Sequence, residues 1–275
     1  MWLSGNSGPF EVIELEVKLG IASPLRILHI SDLHFAPGQS TKRSFLKDLA
    51  SLEPDLVVNT GDNLGHKDAI NPTLDALAPL LDFPGVFVNG SNDYRSPSPR
   101  NPLKYFGGPS KISTKPNLDT DRFTTELKNS GWLDLNNSSG SLSLQNQQLG
   151  FLGLDDPHEN LDNLESLPGQ TAEIARAQLV IGVAHAPYLR VIEAFGSSGA
   201  NMIFAGHTHG GQICLPGRRA LVTNCDLPTK YAQGLSAWKS ETKDTMLHVN
   251  GGIGCSIYAP VRLFCPPSAT LLTVS

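Results

Sequence analysis

Two histidines separated by a single residue give the first indication of chemistry in this sequence of 275 residues. His207 and His209 belong to residues 206–211, which read Gly-His-Thr-His-Gly-Gly and follow the apolar run 202–205, a predicted buried strand. Residues i and i+2 of an extended chain point to the same side, so the two imidazoles can project together from the end of that strand. The flanking glycines permit a sharp turn there. Paired imidazoles bind Zn, Fe, Mn and similar ions, so this segment is a predicted metal site.

Side chains that bind metals also follow other apolar runs. These runs alternate with segments of helical periodicity, among them residues 42–52 and 68–81, and the alternation predicts an α/β protein with a parallel sheet. Ligands of such sheets bind at the carboxyl ends of the strands. The residues at these ends are Asp32 and His34 after run 25–31, Asp62 after run 55–60, Ser91 and Asn92 after run 85–89, and His185 after run 179–184. We therefore expect all of them at one rim, together with His207 and His209.

The ligand types indicate the kind of metal and of reaction. Carboxylates and imidazoles without thiolates favour hard to borderline divalent or trivalent ions. The set is larger than one ion needs and suits two ions that share a bridging carboxylate. Two ions about 3.5–4 Å apart generate a hydroxide at neutral pH and stabilise the oxygens of an in-line phosphoryl displacement. A single-metal site is the alternative if neither Ser91 nor Asn92 coordinates.

The chain is predicted to form one domain over residues 1–275, since neither a linker nor an internal repeat interrupts it. Residues 94–121 are rich in Pro, Gly, Ser and Asn, have no periodicity and are too long for a simple connection, so this insertion is either a lid or a substrate-facing segment. Further predicted elements are an outer strand at 11–19, a helix at 122–130, an antiparallel pair within 132–154, helices at 171–177 and at 188–195 (opened by Pro187), and a strand at 212–215.

Composition restricts the class of partner. Hydrophobic residues make up 40% and charged residues 17% of the chain, which is ordinary for a globular protein. The net charge of −5 argues against a general binder of nucleic acids or anionic membranes, both of which favour basic surfaces. No apolar run reaches the ~18–20 residues that span a bilayer, and residues 1–9 lack the features of a signal peptide. We expect a cytoplasmic protein, with peripheral association with a membrane left open.

The four cysteines, Cys214, Cys225, Cys255 and Cys265, all lie in the last quarter of the chain. Their spacing is not the Cys-x-x-Cys pattern of a zinc site or redox pair. They are compatible with two disulfides or with buried free thiols. The cysteines therefore leave the compartment open.

In their order along the chain, these motifs resemble those of the calcineurin-like metallophosphoesterases. The shared motifs are Asp32-x-His34, Gly61-Asp62, residues 90–93, His185 and residues 206–209. Gln212 and the tail, with residues 250–254, 259–262 and 265–267, are similar to a bacterial branch related to UDP-diacylglucosamine pyrophosphohydrolases. The resemblance extends from about residue 25 to the C-terminus and implies a four-layer αββα sandwich of mixed sheets, with the metals at the rim.

The resemblance also implies a role for each motif. The implied ligands of the first ion are Asp32, His34, Asp62 and His209, and those of the second are Asp62 as the bridge, His185, His207 and an asparagine of the third motif. A hydroxide that bridges the two ions would be the nucleophile. The ions would be Mn, Fe, Zn or Mg.

The third motif departs from the family pattern, which is Gly-Asn-His followed by an acidic residue. Residues 90–93 read Gly-Ser-Asn-Asp, so the histidine that assists the leaving group is missing. Asn92 is the preferred ligand of the second ion, since an amide oxygen suits these ions better than a hydroxyl. Ser91 or a water molecule is the alternative.

Without that histidine, the enzyme either prefers substrates with good leaving groups or takes a proton from another side chain. His66 and His158 are the candidate donors, each with a loop histidine as the alternative. Asp156-Pro157-His158 follows a predicted strand, which places His158 at the rim. General acid assistance is worth about 10²–10⁴ in rate. We assign catalytic roles to His34, Asn92 and His158.

The sequence thus predicts a dinuclear metal-dependent phosphoesterase that hydrolyses phosphate mono- or diesters or pyrophosphates. The substrate is expected to be small and phosphorylated, such as a nucleotide, a sugar nucleotide or a lipid-linked phosphate. A metal-binding scaffold or regulatory protein with the same fold is the alternative. The remaining expectations are Arg95, Arg100 and Lys104 as phosphate contacts or solvated loop charges, Tyr188 and Asn224 as pocket residues, and His29 and His248 as core or edge residues.

Overall fold

Two six-stranded mixed sheets form the centre of the computed structural model, which describes residues 3–99, 115–239 and 243–275. The first sheet contains, in spatial order, β2 (Glu11–Val17), β16 (Ser268–Val274), β3 (Leu25–Ile30), β4 (Leu56–Asn59), β5 (Gly85–Phe87) and β6 (Leu133–Asp134). The second contains β13 (Gly234–Lys239), β14 (Asp244–Val249), β10 (Met202–Ala205), β9 (Leu179–Val183), β8 (Gln147–Gly153) and β7 (Ser139–Leu144). The short strand β1 (Leu3–Gly5) pairs with β15 (Val261–Leu263), and β11 (Cys214–Leu215) pairs with β12 (Arg219–Ala220).

Parallel pairing occupies the part of each sheet that carries the site. Strands β3, β4, β5 and β6 are parallel in the first sheet, and β8, β9, β10 and β14 are parallel in the second. Antiparallel strands β7 and β13 form the edges of the second sheet, and the predicted outer strand β2 forms an edge of the first. The carboxyl ends of the parallel strands therefore lie together at one rim of each sheet.

Helices cover the outer face of each sheet. They are α1 (Ser40–Asp48), α2 (Ile70–Leu77), α4 (Thr120–Asn129), α5 (Leu167–Glu173) and α6 (Leu189–Ser197), whereas the short helix α3 (Ser91–Tyr94) follows the carboxyl end of β5. Leu77 of α2 and Phe123 of α4 belong to the same buried cluster as Leu28 of β3. On the other side, Phe195 of α6 is clustered with Ile203 of β10. Each sheet thus has its own helical layer.

A third hydrophobic cluster lies between the two sheets. Ile27 of β3 and Val58 of β4 pack there with Phe151 and Ile181 of the second sheet, whereas Leu28 belongs to the cluster under the helices. Alternate residues of one strand enter different layers, so these strands are buried on both faces and read as continuous apolar runs. The order helices, sheet, sheet, helices confirms the predicted four-layer sandwich.

Several predicted boundaries are wrong by a few residues. The helix predicted at 171–177 is α5, which begins at Leu167 because a proline is tolerated in the first turn of a helix. Pro187 precedes α6 and its N-cap Tyr188 instead of opening the helix. Helix 68–81 is α2 followed by a 3₁₀ turn at Ala78–Leu80. The strand predicted at 212–215 is reduced to β11, since Gln212 has a φ of 50°.

The centre of the predicted insertion 94–121 lies outside the described residues. Arg100 and Lys104 belong to that part, whereas the last residues of the insertion form the beginning of α4 at Thr120. Within the three described ranges, no helix combines the length and the apolar character that crossing a membrane requires.

Candidate metal centre

The predicted ligands lie at strand ends that meet between the two sheets. The backbone N–H of His207, after β10, donates to Asp32 Oδ2, after β3, at 3.0 Å. This bond joins the carboxyl ends of strands from different sheets. It depends on a glycine before His207, because a Cβ at Gly206 would collide with the Ser31 hydroxyl and with Asp32 Oδ2. The rim predicted from the sequence is therefore one continuous surface across both sheets.

Five of the predicted ligands have a left-handed backbone, a conformation that costs an L-residue with a side chain about 1–2 kcal/mol. The φ values are 49° at Asp32, 39° at His34, 56° at Asp62, 69° at His207 and 51° at His209. Each of these residues stands where the chain turns away from a strand end. Backbone strain of this kind persists where the surrounding structure imposes it, and it clusters at functional sites.

Four of the predicted ligands form one compact group: Asp32, His34, Asp62 and His209 have ligand atoms that all lie within 4.8 Å of one another. His34 Nε2 is 3.1 Å from His209 Nε2 and 3.4 Å from Asp62 Oδ2, and His209 Nε2 is 3.5 Å from Asp32 Oδ1. Asp32 Oδ1 is buried without a hydrogen-bond partner. Nitrogens and carboxylate oxygens that converge in this way, with an acceptor left unpaired, fit a bound cation.

His185 and His207 lie beside this group but outside it. His185 Nδ1 donates to the Thr60 carbonyl at 2.7 Å, which leaves Nε2 as the nitrogen that would bind an ion once it has lost its proton. That Nε2 is buried, has no hydrogen-bond partner and lies 3.6 Å from Asp62 Oδ2. His207 Nε2 lies 3.2 Å from the Asn224 carbonyl, and its ring packs edge-on against the His185 ring at 5.2 Å. Asp62 Oδ2 is thus shared between His34 on one side and His185 on the other.

The third motif places Asn92, rather than Ser91, against this shared carboxylate. Asn92 donates to Asp62 twice, from the backbone N–H to Oδ1 at 2.7 Å and from Nδ2 to Oδ2 at 2.8 Å. The Ser91 hydroxyl instead donates to Asp156 Oδ2 at 2.6 Å. No side chain fits at Gly90, because a Cβ there would collide with the Asp62 carboxylate.

Asp93, to which the sequence analysis assigns no role, holds the loop that carries Asp62. Its carboxylate accepts hydrogen bonds from the backbone N–H groups of Asp62 and Asn63 at 2.8 Å, of Leu64 at 3.2 Å and of Gly90 at 3.0 Å. Burial and the charge of Asp62 raise the pKa of Asp93 to about 7. The place of Asp93 in the third motif, directly after Asn92, could have marked it in the sequence. The backbone N–H groups that it binds could not be predicted, because they come together only in the folded loop.

Of the two alternative proton donors, His158 lies at the site. The His158 ring centroid is 4.5 Å from that of His207. His158 Nδ1 is 3.0 Å from the hydroxyl of Tyr188, which the sequence analysis named as a pocket residue. The backbone N–H of His158 donates to Asp156 Oδ1 at 2.9 Å. His66, by contrast, has a side chain that is 34% exposed, and its Nδ1 accepts from the Asp68 backbone in a loop contact at 3.1 Å.

The electrostatics of the rim favour a bound cation. Burial lowers the pKa of His34 to about 4 and holds those of His207 and His209 well below the usual range, so these rings present lone pairs. Burial would raise the pKa of Asp62, but His185, His34 and the Asn92 hydrogen bonds lower it below the usual range. Burial would lower the pKa of His185, yet the carboxylates, Asp62 first, raise it to about 9.

The remaining residues named in the sequence analysis lie in the core, carry free thiols or form ion pairs. His29 and His248 are buried, and their Nδ1 atoms lie 2.7 Å apart in the core between the sheets. All four cysteines are free. Arg95 forms an ion pair with Glu159, so it is not a solvated loop charge. Asp156 and Arg262, for which no role is predicted from the sequence, are both buried beside the site.

Comparison with known proteins agrees with this geometry. A family profile described as calcineurin-like phosphoesterase matches residues 25–211. The phosphodiesterase YaeI of Escherichia coli K12 is 26% identical over 260 residues, covering 91% of this chain and 82% of YaeI. The UDP-2,3-diacylglucosamine pyrophosphatase LpxG of Chlamydia muridarum is 27% identical over 90% of this chain and 83% of LpxG. Among solved structures, the NAD nucleotidase NadN of Haemophilus influenzae has the same fold, with a TM-score of 0.52 and 12% identity over 89% of this chain and 49% of NadN.

Proposed function

Since the chain belongs to the calcineurin-like phosphoesterase family and is a metal-dependent hydrolase of phosphate esters, we propose that it acts with two metal ions on phosphodiester or pyrophosphate bonds of a small substrate. The relatives named a phosphodiesterase and a UDP-2,3-diacylglucosamine pyrophosphatase support this choice of bonds. Mn, Fe, Zn and Mg all suit the oxygen and nitrogen donors of the rim.

One observation carries the proposal: Asp62 Oδ2 lies 3.4 Å from His34 Nε2 and 3.6 Å from His185 Nε2. A single carboxylate flanked by imidazoles on two sides is suited to bridge two ions. The first ion would be held by Asp32, His34, Asp62 and His209, and the second by Asp62, His185, His207 and Asn92. Two ions in this place would supply a hydroxide nucleophile at neutral pH and neutralise the transferring phosphoryl group.

The chain's own residues would orient the ligands and move the proton. Asn92 holds both oxygens of Asp62 through its two hydrogen bonds. The Tyr188 hydroxyl contacts His158 Nδ1, and burial raises the pKa of that phenol to about 12, so it stays protonated at neutral pH. With Nδ1 of His158 facing the Tyr188 hydroxyl, Nε2 is the atom that would deliver a proton to the leaving group.

The test combines metal counting with two chromogenic substrates. Protein stripped with EDTA and reloaded with Mn²⁺ should bind two ions and hydrolyse bis-p-nitrophenyl phosphate, with weaker activity on p-nitrophenyl phosphate. Asp62→Asn, which keeps the shape but removes the bridging charge, should bind at most one ion and lose activity. Binding of ions without hydrolysis of any phosphate ester would indicate a scaffold, and one ion per active chain would indicate a single-metal enzyme.

A further inference from the structure

Arg262 of β15 is fully buried behind the group of four ligands. Its Nη1 donates to the Gly251 carbonyl at 2.6 Å and to the His209 carbonyl at 3.2 Å. Its Nη2 donates to the Gly254 carbonyl at 2.5 Å and lies 3.1 Å from His209 Nδ1. One guanidinium thus joins the backbone of His209 to the loop that follows β14.

The contacts around the Gly254 carbonyl determine how His209 presents its ring. His209 Nδ1 lies 3.1 Å from this oxygen, which has two lone pairs and can accept from both Nδ1 and Arg262 Nη2. A guanidinium only donates, so Arg262 cannot accept from Nδ1, and in the tautomer that carries its proton on Nδ1 the Gly254 carbonyl accepts that hydrogen bond. Nε2 of His209 is then the lone-pair nitrogen, and it faces His34 Nε2 and Asp32 Oδ1.

The charge of Arg262 would act against a bound ion, so its presence calls for a geometric reason. The guanidinium lies close to the acidic side of the rim: a Cβ on Gly252 would be 3.0 Å from Arg262 Nη2 and 2.9 Å from Asp32 Cβ. A buried guanidinium so close to Asp32 repels a metal ion that this carboxylate would bind. The planar fork of arginine, however, can hold several carbonyl oxygens at once, which an ammonium group cannot do with the same directions.

We propose that Arg262 is a positioning residue for His209: by anchoring the carbonyls of His209, Gly251 and Gly254, it fixes the ring orientation with which His209 Nε2 meets the first ion. The inference rests on the proposed function in that His209 binds an ion. Groups that orient metal-binding histidines in this way affect metal affinity by about 10–100-fold when they are replaced.

Arg262→Met and Arg262→Lys test the role through metal affinity in the absence of substrate. Stripped protein is titrated with Mn²⁺, and free Mn²⁺ is followed by electron paramagnetic resonance. We expect the tighter ion to bind at least tenfold more weakly to Arg262→Met, and at least threefold more weakly to Arg262→Lys, which keeps the charge but loses the fork. Gln147→Met is the matched control, because buried Gln147 ties the backbone of Ala22 and Ser23 far along the chain from the rim; it should bind Mn²⁺ like the wild type.

The direction of the change separates the possible roles. Unchanged affinity with a lower unfolding temperature would mean that Arg262 only supports the fold, and tighter binding would mean that it acts through its charge; either result overturns the proposal. If Arg262→Met does not fold, the lysine variant decides on the same criteria. A wild-type protein that binds no Mn²⁺ would instead refute the proposed function itself.

Discussion

Asn92 donates hydrogen bonds to the carboxylate of Asp62 from both its backbone and its side chain, at 2.7 Å and 2.8 Å, whereas the hydroxyl of the neighbouring Ser91 donates to Asp156. The two residues are adjacent in α3, yet only one of them faces the shared carboxylate. The side-chain amide of Asn92 therefore lies against the carboxylate that is proposed to bridge the two ions. This relationship supports the choice of Asn92 over Ser91.

The first prediction compares alanine at these two positions. Asn92→Ala removes the amide from Asp62, and we expect the weaker Mn²⁺ ion to bind about 10–100-fold less tightly, with a similar loss of kcat/KM. Ser91→Ala removes only the bond to Asp156 and should change both quantities by less than about threefold. Mn²⁺ titration and hydrolysis of bis-p-nitrophenyl phosphate measure them. A larger effect of Ser91→Ala would place the serine, not the asparagine, at the second ion.

The second prediction concerns the proton for the leaving group. If His158 delivers it, His158→Asn should lower kcat about 10²–10⁴-fold for alkyl phosphodiesters, whose leaving groups need protonation. The same variant should be near wild type with nitrophenyl esters, whose leaving groups do not. Rates over a series of leaving-group pKa values measure this as a steeper dependence in the variant. His66→Asn is the control, and an equal loss on all esters would argue against proton donation.

The candidate ligands could be predicted from the sequence because each is marked by its position just after an apolar run. Asp32, Asp62 and His185 each lie within three residues of the end of a strand, and the carboxyl ends of parallel strands share a rim. The left-handed backbone at Asp32 and Asp62 could not be predicted from the sequence, since a positive φ is uncommon in residues other than glycine. It is imposed by the surrounding fold.

Contacts between distant segments account for what the sequence did not predict. The pairing of β16 between β2 and β3 places the last strand of the chain next to the edge strand of the first sheet, and sheet order is not encoded in the strand's own pattern. Arg262 likewise carries no local signal of its contact with His209, which is 53 residues away. His29 and His248 were assigned to the core or an edge, but their direct contact across the two sheets depends on sheet packing.

The third prediction uses the strained turns. Measured without metal, His207→Gly should be more stable than His207→Ala by about 1 kcal/mol, because alanine keeps the cost of the left-handed backbone at a φ of 69° and glycine removes it. The order should reverse at His185, which has no positive φ, where glycine only adds freedom to the unfolded chain. Urea unfolding in EDTA compares the four variants. Alanine more stable than glycine at both positions would show that the turn at His207 carries no strain.

The fourth prediction concerns acid stability and the buried histidine pair. Burial lowers the pKa of His248 from 6.5 to about 3, and burial together with His248 holds that of His29 well below its usual value. The two Nδ1 atoms lie 2.7 Å apart and His29 Nε2 contacts the Thr60 hydroxyl at 2.9 Å, so the pair has its hydrogen bonds without an added charge. Below pH 6.5 these two histidines therefore bind protons in the unfolded chain but stay neutral in the folded protein.

The sign follows from this difference in bound protons. The pair's contribution to stability is complete above pH 6.5 and is lost as the pH falls from there towards about 3, by up to about 1.4 kcal/mol per pH unit for each histidine. His248→Gln, which keeps a hydrogen-bonding group but cannot take up a proton, should therefore show a shallower fall in the free energy of unfolding between pH 6.5 and 4.5, whatever its stability at pH 7.5. Urea unfolding in EDTA at a series of pH values measures the slope, with His66→Gln in its partly exposed loop as the matched control. Identical slopes in the wild type and His248→Gln would mean that the pair accepts a proton in the folded protein.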